Sequence, residues 1–459
     1  MAFRTFERGI DGHGVHQAQV SRRALLRGGA LAGAGALLAG LPMGRAALAH
    51  GHAAGGMHAA MPGMAWPGVT KEVTGYVADG KVANMVATFG WGTSATLQTV
   101  GGGKLTIGQP AMADADSLYR IYSMTKPVTG MATMMLIEDG KLGLDQPLAD
   151  ILPAYANMTV QKTYDGSITD VVPAERPITI RHLLTHTAGL GYGIIQEGPI
   201  KDEYELLGLV PGQVSRIPIP GIGRSKPVEG LANFADRLAE VPLVYQPGTK
   251  WSYSVSLDLL GRVIEVASGV DFATFLQDNI FDPAGMDSTY FQVPRSEVGR
   301  FTTNYGILNG TPLPVDPAAA SIYLDEPAFP FGGAGLVSSP RDYDRFLRML
   351  LGYGKIDGTR VMGELAVRVG TRDILPSTVE TAGTWIEGQG FGAGGRVTDG
   401  AFGWGGAAGT AAFADFKSGL RAQLYTQYMP SGSYPIQNAF PDLVRADLAA
   451  MTGGASSGE

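Results

Sequence analysis

The sequence predicts a mixed α/β (α+β) fold in which an antiparallel sheet is flanked by helices and joined to a helical subdomain. Short β-type runs broken by glycines fill residues 81–105 and return in residues 403–427, near the other end of the chain. Helical patterns separated by proline-rich connectors occupy the middle, over about residues 127–330. The 459 residues are 45% hydrophobic and 17% charged, which provides enough apolar material for a large core. Because strands stand at both ends, the sheet closes only when the two ends of the chain meet.

The strands are predicted from β-branched and aromatic residues that alternate between turn signals. The first two lie in the runs VANMVATFGW and ATLQTV. Near the other end, residues 403–410 are followed by TAAFADF, a turn at residues 417–419 and LRAQLYTQ. These runs predict antiparallel neighbours.

The helices are predicted from apolar spacing and from their stop signals. One helix is expected from Ser123 to about Asp139, with Gly140 at the position where a helix ends. Shorter helices are expected within the middle of the chain and a last one before the C-terminus, over residues 181–187, 257–267 and 436–451.

The first 49 residues are predicted to be a twin-arginine-type signal peptide. Residues 21–27, SRRALLR, resemble the twin-arginine consensus, and residues 28–41 are an apolar stretch too short and too glycine-rich to span a membrane. Residues 47–49, Ala-Leu-Ala, supply a small-x-small cleavage site. We therefore expect export by the twin-arginine machinery to the periplasm or the medium, with no stable membrane anchor.

The remaining residues divide into three parts. The glycine-, alanine- and histidine-rich stretch 50–68 is predicted to be a flexible leader, residues 69–451 one domain, and residues 452–459 a disordered tail. The formal net charge of -7 and the absence of basic runs exclude a nucleic-acid partner. With no cysteine in the chain, stability must come from the core alone.

The predicted leader could also bind a metal ion. Cleavage after Ala49 would begin the mature chain with His50-Gly51-His52, whose free amine, two amides and third-position imidazole suit Cu(II) or Ni(II). An unstructured leader with incidental histidines is the alternative.

The positions of the histidines argue against a zinc metalloprotease and against a hydrolase with a Ser-His-Asp triad. Apart from the signal and the leader, the chain has only His182 and His186. Their i, i+4 spacing is that of a zinc helix, but Leu183 stands where the H-E-x-x-H motif needs its glutamate. We interpret both histidines as structural helix residues, which leaves no imidazole for a Ser-His-Asp triad.

The segment Ser123-Met124-Thr125-Lys126 offers a nucleophile that needs no histidine. A serine at the start of a helix and a lysine three residues later lie on one face, so the amine can reach the hydroxyl. Free lysine is protonated at neutral pH, so burial or a neighbour must lower its pKa before it can accept a proton. The motif alone is weak, because a surface Ser-Lys pair has the same spacing.

Five segments in order carry a stronger signal: YRIYSMTKPVTG, RHLLTHTAGL, QPGTKWSYSVSLDLLG, FGGAGLVSSPRDYDRFLRML and FGWGGAAGTAAFAD. Together they resemble the class C β-lactamases and the family VIII carboxylesterases, over about residues 70–450. The resemblance implies the β-lactamase and penicillin-binding-protein fold. It also implies a serine hydrolase without metal or cofactor.

Carried over residue by residue, the resemblance makes Ser123 the acylated nucleophile, Lys126 its proton acceptor or relay, and Tyr253 the phenol that passes a proton to the leaving group. It places the oxyanion hole at the backbone N–H groups of Ser123 and Ala407. Trp404, Gly405 and Gly406 would form the strand against which the substrate lies, where glycines leave room for an edge-on approach.

Two departures from the β-lactamases favour an esterase. The Y-x-N motif of those enzymes is Tyr253-Ser254-Val255 here, so the amide is missing, and Trp404 replaces the lysine of K-[ST]-G, which meets a substrate carboxylate. We expect a carboxylesterase for small, short-chain esters. A weak β-lactamase, D-aminopeptidase, amidase or transesterase of the same fold, and a non-catalytic peptidoglycan-binding relative, are the alternatives. What the segment 191–240 covers stays open; it could wall the pocket.

Overall fold

The computed structural model describes residues 65–217 and 226–453. The predicted signal peptide, most of the leader with His50-Gly51-His52, and residues 454–459 lie outside the described residues. Within them the strands, in chain order, are β1 (Asn84–Trp91), β2 (Gln98–Gly103), β3 (Tyr119–Arg120), β4 (Thr159–Gln161), β5 (Val171–Pro173), β6 (Asn304–Leu308), β7 (Thr311–Asp316), β8 (Val337–Ser338), β9 (Lys355–Ile356), β10 (Thr359–Arg360), β11 (Gly390–Phe391), β12 (Arg396–Thr398), β13 (Ala401–Gly405), β14 (Ala411–Asp415), β15 (Leu420–Tyr425) and β16 (Tyr428–Met429).

The helices account for most of the remaining regular structure. In chain order they are α1 (Pro67–Ala78), α2 (Thr125–Glu138), α3 (Ile180–Leu184), α4 (Pro199–Leu206), α5 (Leu231–Leu238), α6 (Ser256–Ser268), α7 (Phe272–Leu276), α8 (Asp282–Ala284), α9 (Pro340–Leu351), α10 (Glu364–Gly370) and α11 (Ile436–Gly453). In the part of the chain that the structure describes, no helix is both long and apolar enough to cross a membrane.

The main sheet has seven antiparallel strands in the order β11-β12-β13-β14-β15-β1-β2. The N-terminal β1 lies between β2 and the C-terminal β15, with Val86 opposite Tyr425 and Trp91 opposite Leu420. The predicted fold class, an antiparallel sheet flanked by helices, is confirmed, and the two ends of the chain meet in the sheet as expected.

Hydrophobic clusters cover both faces of this sheet. Along β14, Ala412 and Ala414 belong to the large cluster shared with the helical subdomain, whereas Ala411 and Phe413 belong to the cluster under α1 and α11. This alternation is the two-residue period of a strand buried on both faces. The face toward the helical subdomain carries the candidate site.

The helix α1 corrects the predicted leader at its C-terminal end. The leader was expected to extend to residue 68, but α1 begins at Pro67, where a proline fits the first helical position. Trp66 is buried and stacks on Phe89 of β1 with ring centroids 3.8 Å apart. The backbone N–H groups of Gly68 and Val69 donate to the Asp447 carboxylate at 3.0 Å each. These long-range contacts order residues whose local pattern resembles a loose leader.

Other predicted helices differ from the structure at their ends. The helix expected from Ser123 is present as α2, preceded by one 3₁₀ turn over Tyr122–Met124. The helix expected over residues 181–187 is only the five residues of α3, and His186 lies beyond it with a φ of 55°. Because α11 continues to Gly453, the tail predicted from residue 452 is helical for two more residues.

The segment 191–240, whose place the sequence left open, begins beside the helical subdomain and then crosses toward β7. Tyr323 Oη donates to Gln213 O at 3.1 Å, and Ser215 Oγ donates to Val315 O. Val214 belongs to the same hydrophobic cluster as Tyr122 and Ala407. Residues 213–215 of the segment therefore lie on the side of the predicted oxyanion hole.

Candidate active site

The turn that carries Ser123 links β3 to α2 and is almost completely buried. Tyr122, directly before the serine, has a φ of 42°, a left-handed conformation that is rare for a bulky residue. Its hydroxyl accepts a hydrogen bond from Asn304 Nδ2 at 3.2 Å, which helps to hold the turn. Ser123 itself is 4% exposed. The backbone thus presents this hydroxyl at the start of a helix, where developing negative charge is stabilised.

Lys126 lies one turn further along and contacts the serine. Its Nζ is 3.2 Å from Ser123 Oγ and donates to the backbone oxygen of Gly333 at 2.7 Å. The side chain is fully buried. Burial lowers the pKa of Lys126 well below its ordinary value, while the nearby Asp258 carboxylate acts in the opposite direction. The amine is therefore able to be neutral near neutral pH, as a proton acceptor must be.

Tyr253 is brought to the same point from the segment before α6. Its ring centroid lies 4.6 Å from Lys126 Nζ, and its hydroxyl accepts a hydrogen bond from Trp404 Nε1 at 3.2 Å. Burial raises the pKa of Tyr253 above its ordinary value, although hydrogen bonds with Ser123 and Trp404 favour the ionised form. The phenol is thus protonated at neutral pH and touches the predicted nucleophile.

Aromatic rings surround Tyr253. They are those of His186, Tyr192, Trp251, Trp385 and Trp404, with centroids 4.8, 5.2, 6.1, 5.1 and 5.7 Å from the tyrosine ring. Only the Trp385 ring is partly exposed; the other four are buried. Trp385 is therefore the ring of this set that solvent reaches.

The predicted oxyanion strand is held from behind by the last helix. After β13, Gly406 N–H donates to Thr410 O at 2.8 Å, and Gln437 Nε2 of α11 donates to the backbone oxygens of Gly406 and Thr410 at 2.7 Å each. A Cβ at Gly406 would lie 2.3 Å from the backbone oxygen of Ile121, two residues before Ser123. This close approach requires glycine and places Ala407, 4% exposed, beside the nucleophile turn.

Trp404 faces inward in the structure. It is 2% exposed and its only N–H is used by Tyr253, so the indole supports the phenol more than it lines an open pocket. The Arg396 guanidinium lies 5.1 Å from the centre of the Trp404 ring and donates to Trp385 O at 2.6 Å. This arginine is fully buried, and burial lowers its pKa to about 9. A cation therefore stands near the position of the missing lysine, but it is enclosed.

Asp258, in the first turn of α6, is a further residue of the site that was not predicted from the sequence. The carboxylate is 1% exposed, and its Oδ1 accepts a hydrogen bond from Gly333 N–H at 2.8 Å. Burial raises the pKa of Asp258, and Lys126 opposes that rise. The available signal was an acidic residue among the apolar residues Leu257, Leu259 and Leu260 at the start of α6.

The two histidines take different places. His182 closes a capping box at the start of α3, where its Nδ1 accepts from Thr179 N–H at 3.1 Å, as expected of a structural residue. His186 is fully buried, and its Nδ1 shares a hydrogen bond of 2.9 Å with Ser254 Oγ. Burial keeps the pKa of His186 well below its ordinary value, and Lys126 adds to that effect. His186 is thus a neutral support of the Tyr253 segment.

A family model described as Beta-lactamase matches residues 44–446 of the chain. The chain belongs to the beta-lactamase family. The resemblance to class C β-lactamases and family VIII esterases is thereby confirmed, and at the level of the family so is the prediction of a serine hydrolase.

Two curated relatives from this family align over most of the chain. Protein Rv1367c from Mycobacterium tuberculosis is 33% identical over 373 residues, which cover 77% of this chain and 88% of the relative. Esterase EstB from Burkholderia gladioli is 31% identical over 359 residues, which cover 72% of this chain and 83% of EstB. Homology to an esterase of the beta-lactamase family supports ester hydrolysis as the general activity.

The fold also matches solved structures. That of EstCE1, described as a hydrolase with promiscuous acyltransferase activity, aligns with a TM-score of 0.65 at 24% identity and covers 83% of this chain and 98% of EstCE1. At this identity the match shows that the two chains share a fold.

The structure brings the predicted site residues together. The side chains of Ser123, Lys126 and Tyr253 lie together. Ala407 follows β13 and packs in the same cluster as Tyr122, the residue before Ser123. Their roles in catalysis stay predictions.

Proposed function

We propose that this member of the beta-lactamase family is an exported carboxylesterase that hydrolyses small, short-chain esters through an acyl-Ser123 intermediate. The observation that carries the proposal is the 3.2 Å contact between Lys126 Nζ and Ser123 Oγ, in a pocket that buries the amine completely. A lysine in this environment can accept the serine proton without a histidine. The relationship to Esterase EstB supports the ester as substrate.

The reaction is proposed in two steps that use the same groups. Lys126 takes the Ser123 proton as Oγ attacks the ester carbonyl, and the N–H groups of Ser123 and Ala407 stabilise the oxyanion. The proton passes through Tyr253 to the leaving alkoxide, which departs as an alcohol when the C–O bond breaks. Water then adds to the acyl-serine, gives up a proton to the same relay and releases the acid with Ser123 restored.

The charge distribution supports an uncharged substrate. Arg396, which lies against the Trp404 ring, is fully buried, and its guanidinium donates to Trp385 O. A penicillin carboxylate could not reach this buried guanidinium, and losing a charge-assisted hydrogen bond costs about 1.5 to 3 kcal/mol. A short aryl ester makes no such demand.

The substrate class is tested by comparing p-nitrophenyl butyrate with nitrocefin under identical conditions. We expect kcat/KM for nitrocefin to be lower by at least about two orders of magnitude. Equal or higher kcat/KM for nitrocefin contradicts the esterase proposal and favours a β-lactamase. D-Alanyl p-nitroanilide serves in the same assay as the test for an aminopeptidase.

The nucleophile is tested with a fluorophosphonate probe and peptide mapping. We expect the label on Ser123 and the loss of both label and turnover in Ser123→Ala, which should fold normally because it removes a single hydroxyl. Absence of label with intact folding favours the non-catalytic peptidoglycan-binding alternative. Residual turnover above about 1% in the variant moves the nucleophile elsewhere.

Acyl transfer to an alcohol is a second candidate, favoured by the aromatic lining of the site. The five rings around Tyr253 offer the hydrocarbon part of an alcohol an apolar contact that water cannot make. Adding a short alcohol to the esterase assay and measuring the new ester separates transfer from hydrolysis. A product mixture that stays pure acid excludes transfer to that alcohol.

Export is proposed from the N-terminal sequence. The twin-arginine-like residues 21–27 and the small residues 47–49 support export by the twin-arginine route to the periplasm or the medium. Expression with the native N-terminus and sequencing of the exported protein tests this; a start at His50 is expected. Retention in the cytoplasm with an intact N-terminus contradicts it.

A further inference from the structure

Asp258 is a buried carboxylate that the proposed reaction does not use. It lies in the first turn of α6 at 1% exposure, and its Oδ1 accepts from Gly333 N–H at 2.8 Å. Its Oδ2 is buried without a hydrogen-bond partner among the described residues. A buried carboxylate left half unpaired is unfavourable, so its retention beside the site requires a reason.

Gly333 connects this carboxylate to the proposed base. Its N–H binds Asp258, and its C=O accepts from Lys126 Nζ at 2.7 Å, next to the 3.2 Å contact with Ser123. A Cβ at Gly333 would lie 2.5 Å from Asp258 Oδ2, so a larger residue would displace the carboxylate. One glycine thus fixes the carboxylate on one side and the amine on the other.

Among the described residues, the other groups that face Lys126 do not supply a negative charge. Tyr192 and Tyr253 present ring faces 5.6 and 4.6 Å from Nζ, with pKa values raised by burial so that both phenols stay neutral. His186 is neutral because burial depresses its pKa. On α10, which also packs on α2, Glu364 and Arg368 pair with each other at the exposed side.

We propose that Asp258 is a positioning residue that, through Gly333, aims Lys126 Nζ at Ser123 Oγ and provides the counter-charge that keeps the amine basic enough to take the serine proton. This rests on the proposed function in which Lys126 is the proton acceptor. Without the carboxylate, burial alone would act on the amine, and a weaker base would remain.

The decisive measurement is the pH dependence of kcat/KM in Asp258→Asn, which keeps the shape and removes the charge. Because Asp258 raises the pKa of Lys126, its loss should lower that pKa and move the acid limb to lower pH by at least about one unit. The plateau should fall about tenfold, since a weaker base transfers the proton less effectively. A purely structural role would reduce stability and leave the limb in place.

Asp342→Asn is the matched control. Asp342, in the first turn of α9, is also a buried carboxylate, 5% exposed, and its Oδ2 accepts from Ser288 N–H and Thr289 Oγ1. It should lose stability without a shift of the acid limb. If Asp258→Asn does not fold, Gly333→Ala tests the same link by pushing the carboxylate away, and its acid limb should also move down.

An unchanged acid limb in folded Asp258→Asn, or in Gly333→Ala where only that variant folds, overturns the inference. Failure of the proposed function would look different: the wild-type protein itself would neither hydrolyse the aryl ester nor take the fluorophosphonate label on Ser123.

Discussion

At the scale of single residues, Lys126 and Tyr253 belong to the same proposed proton relay between Ser123 and the leaving group. Both contact the same point beside Ser123, so removing either should interrupt the same transfer. We expect Lys126→Ala and Tyr253→Phe each to reduce the acylation rate by about 10³-fold or more, and the double variant to lose little beyond the larger single effect. Single-turnover acylation measures this. Tyr155→Phe, which removes a buried hydroxyl bonded to Ala235 O, is the control. A double variant that loses the product of both effects would contradict a shared path.

The burial of Lys126 also sets the pH range of activity. Its depressed pKa means that the amine loses its proton well below the pH at which an exposed lysine would, so kcat/KM should rise through the neutral range and reach a plateau there. Tyr253, whose pKa is raised by burial, should stay protonated and give no decline until strongly alkaline pH. A pH profile of p-nitrophenyl ester hydrolysis, with spontaneous hydrolysis subtracted, measures both limits. Activity that rises only above about pH 10 would mean that Lys126 titrates as an exposed amine.

Residues differ in how far the sequence could predict them. Ser123 and Lys126 stand in one motif whose spacing implies their proximity, and the resemblance to a known family implied that Tyr253 joins them. Asp258 and Arg396 have no motif, because their positions depend on packing between segments far apart in the chain. Arg396 reaches Trp404 only because the register of β12 and β13 pairs it with Gly403. Such a register is set by tertiary structure and not by local pattern.

At the scale of elements, the strand-to-turn segment at Gly406 should tolerate no side chain. A Cβ there would meet the backbone of Ile121 at 2.3 Å, and backbone cannot move aside as a flexible side chain can. We expect Gly406→Ala to separate β13 from the Ser123 turn and lower kcat/KM about 100-fold or more, as loss of an oxyanion donor does. Gly432→Ala, where a Cβ meets nothing within 4 Å, is the control and should be neutral. Near-normal activity in a folded Gly406→Ala would argue against this strand as the oxyanion wall.

Element ends were less predictable than element types. The helices α2, α6 and α11 were expected from periodicity and are present. The helix α1 was not expected, because its stability comes from Asp447 and Phe89 at distant positions rather than from its own spacing. The opposite holds at α3, where Thr185 and His186 leave the helix so that His186 can bond Ser254. Tertiary contacts override local preference at both places.

At the scale of the whole molecule, Asp447 joins the first described helix to the last. Its carboxylate accepts from two otherwise unpaired N–H groups at the start of α1, those of Gly68 and Val69. We expect Asp447→Ala to lower the free energy of unfolding by about 2 kcal/mol without changing kcat, because the contact lies on the sheet face away from Ser123. Urea unfolding measures the loss. Asp442→Ala, which removes an exposed ion pair with Arg445 on α11, should change stability little. Equal losses of unfolding free energy in the two variants would contradict the view that Asp447 stabilises the start of α1.

The overall architecture was predictable because it depends on the gross distribution of strand and helix patterns. β-type runs at both ends require a sheet built from both, and β1 beside β15 fulfils that requirement. That residues 213–215 reach Tyr323 and β7 was not predictable, since the bonds of Gln213 O with Tyr323 and of Ser215 with Val315 O join segments far apart in the chain.

The contact of Asp447 with Gly68 and Val69 has a consequence for chain connectivity. Because the start of α1 is bonded to Asp447 near the end of α11, a short glycine-rich linker could join the C-terminal end of α11 to the N-terminal end of α1. New ends could be opened at Asn309 and Gly310, the exposed tip between β6 and β7. In such a circular permutant the strands of the main sheet, β11 to β15, β1 and β2, would follow one another along the chain in the same order as in the sheet, with only β16 of another sheet between β15 and β1. The geometry of the fold therefore does not require the order in which the segments follow one another in the natural chain.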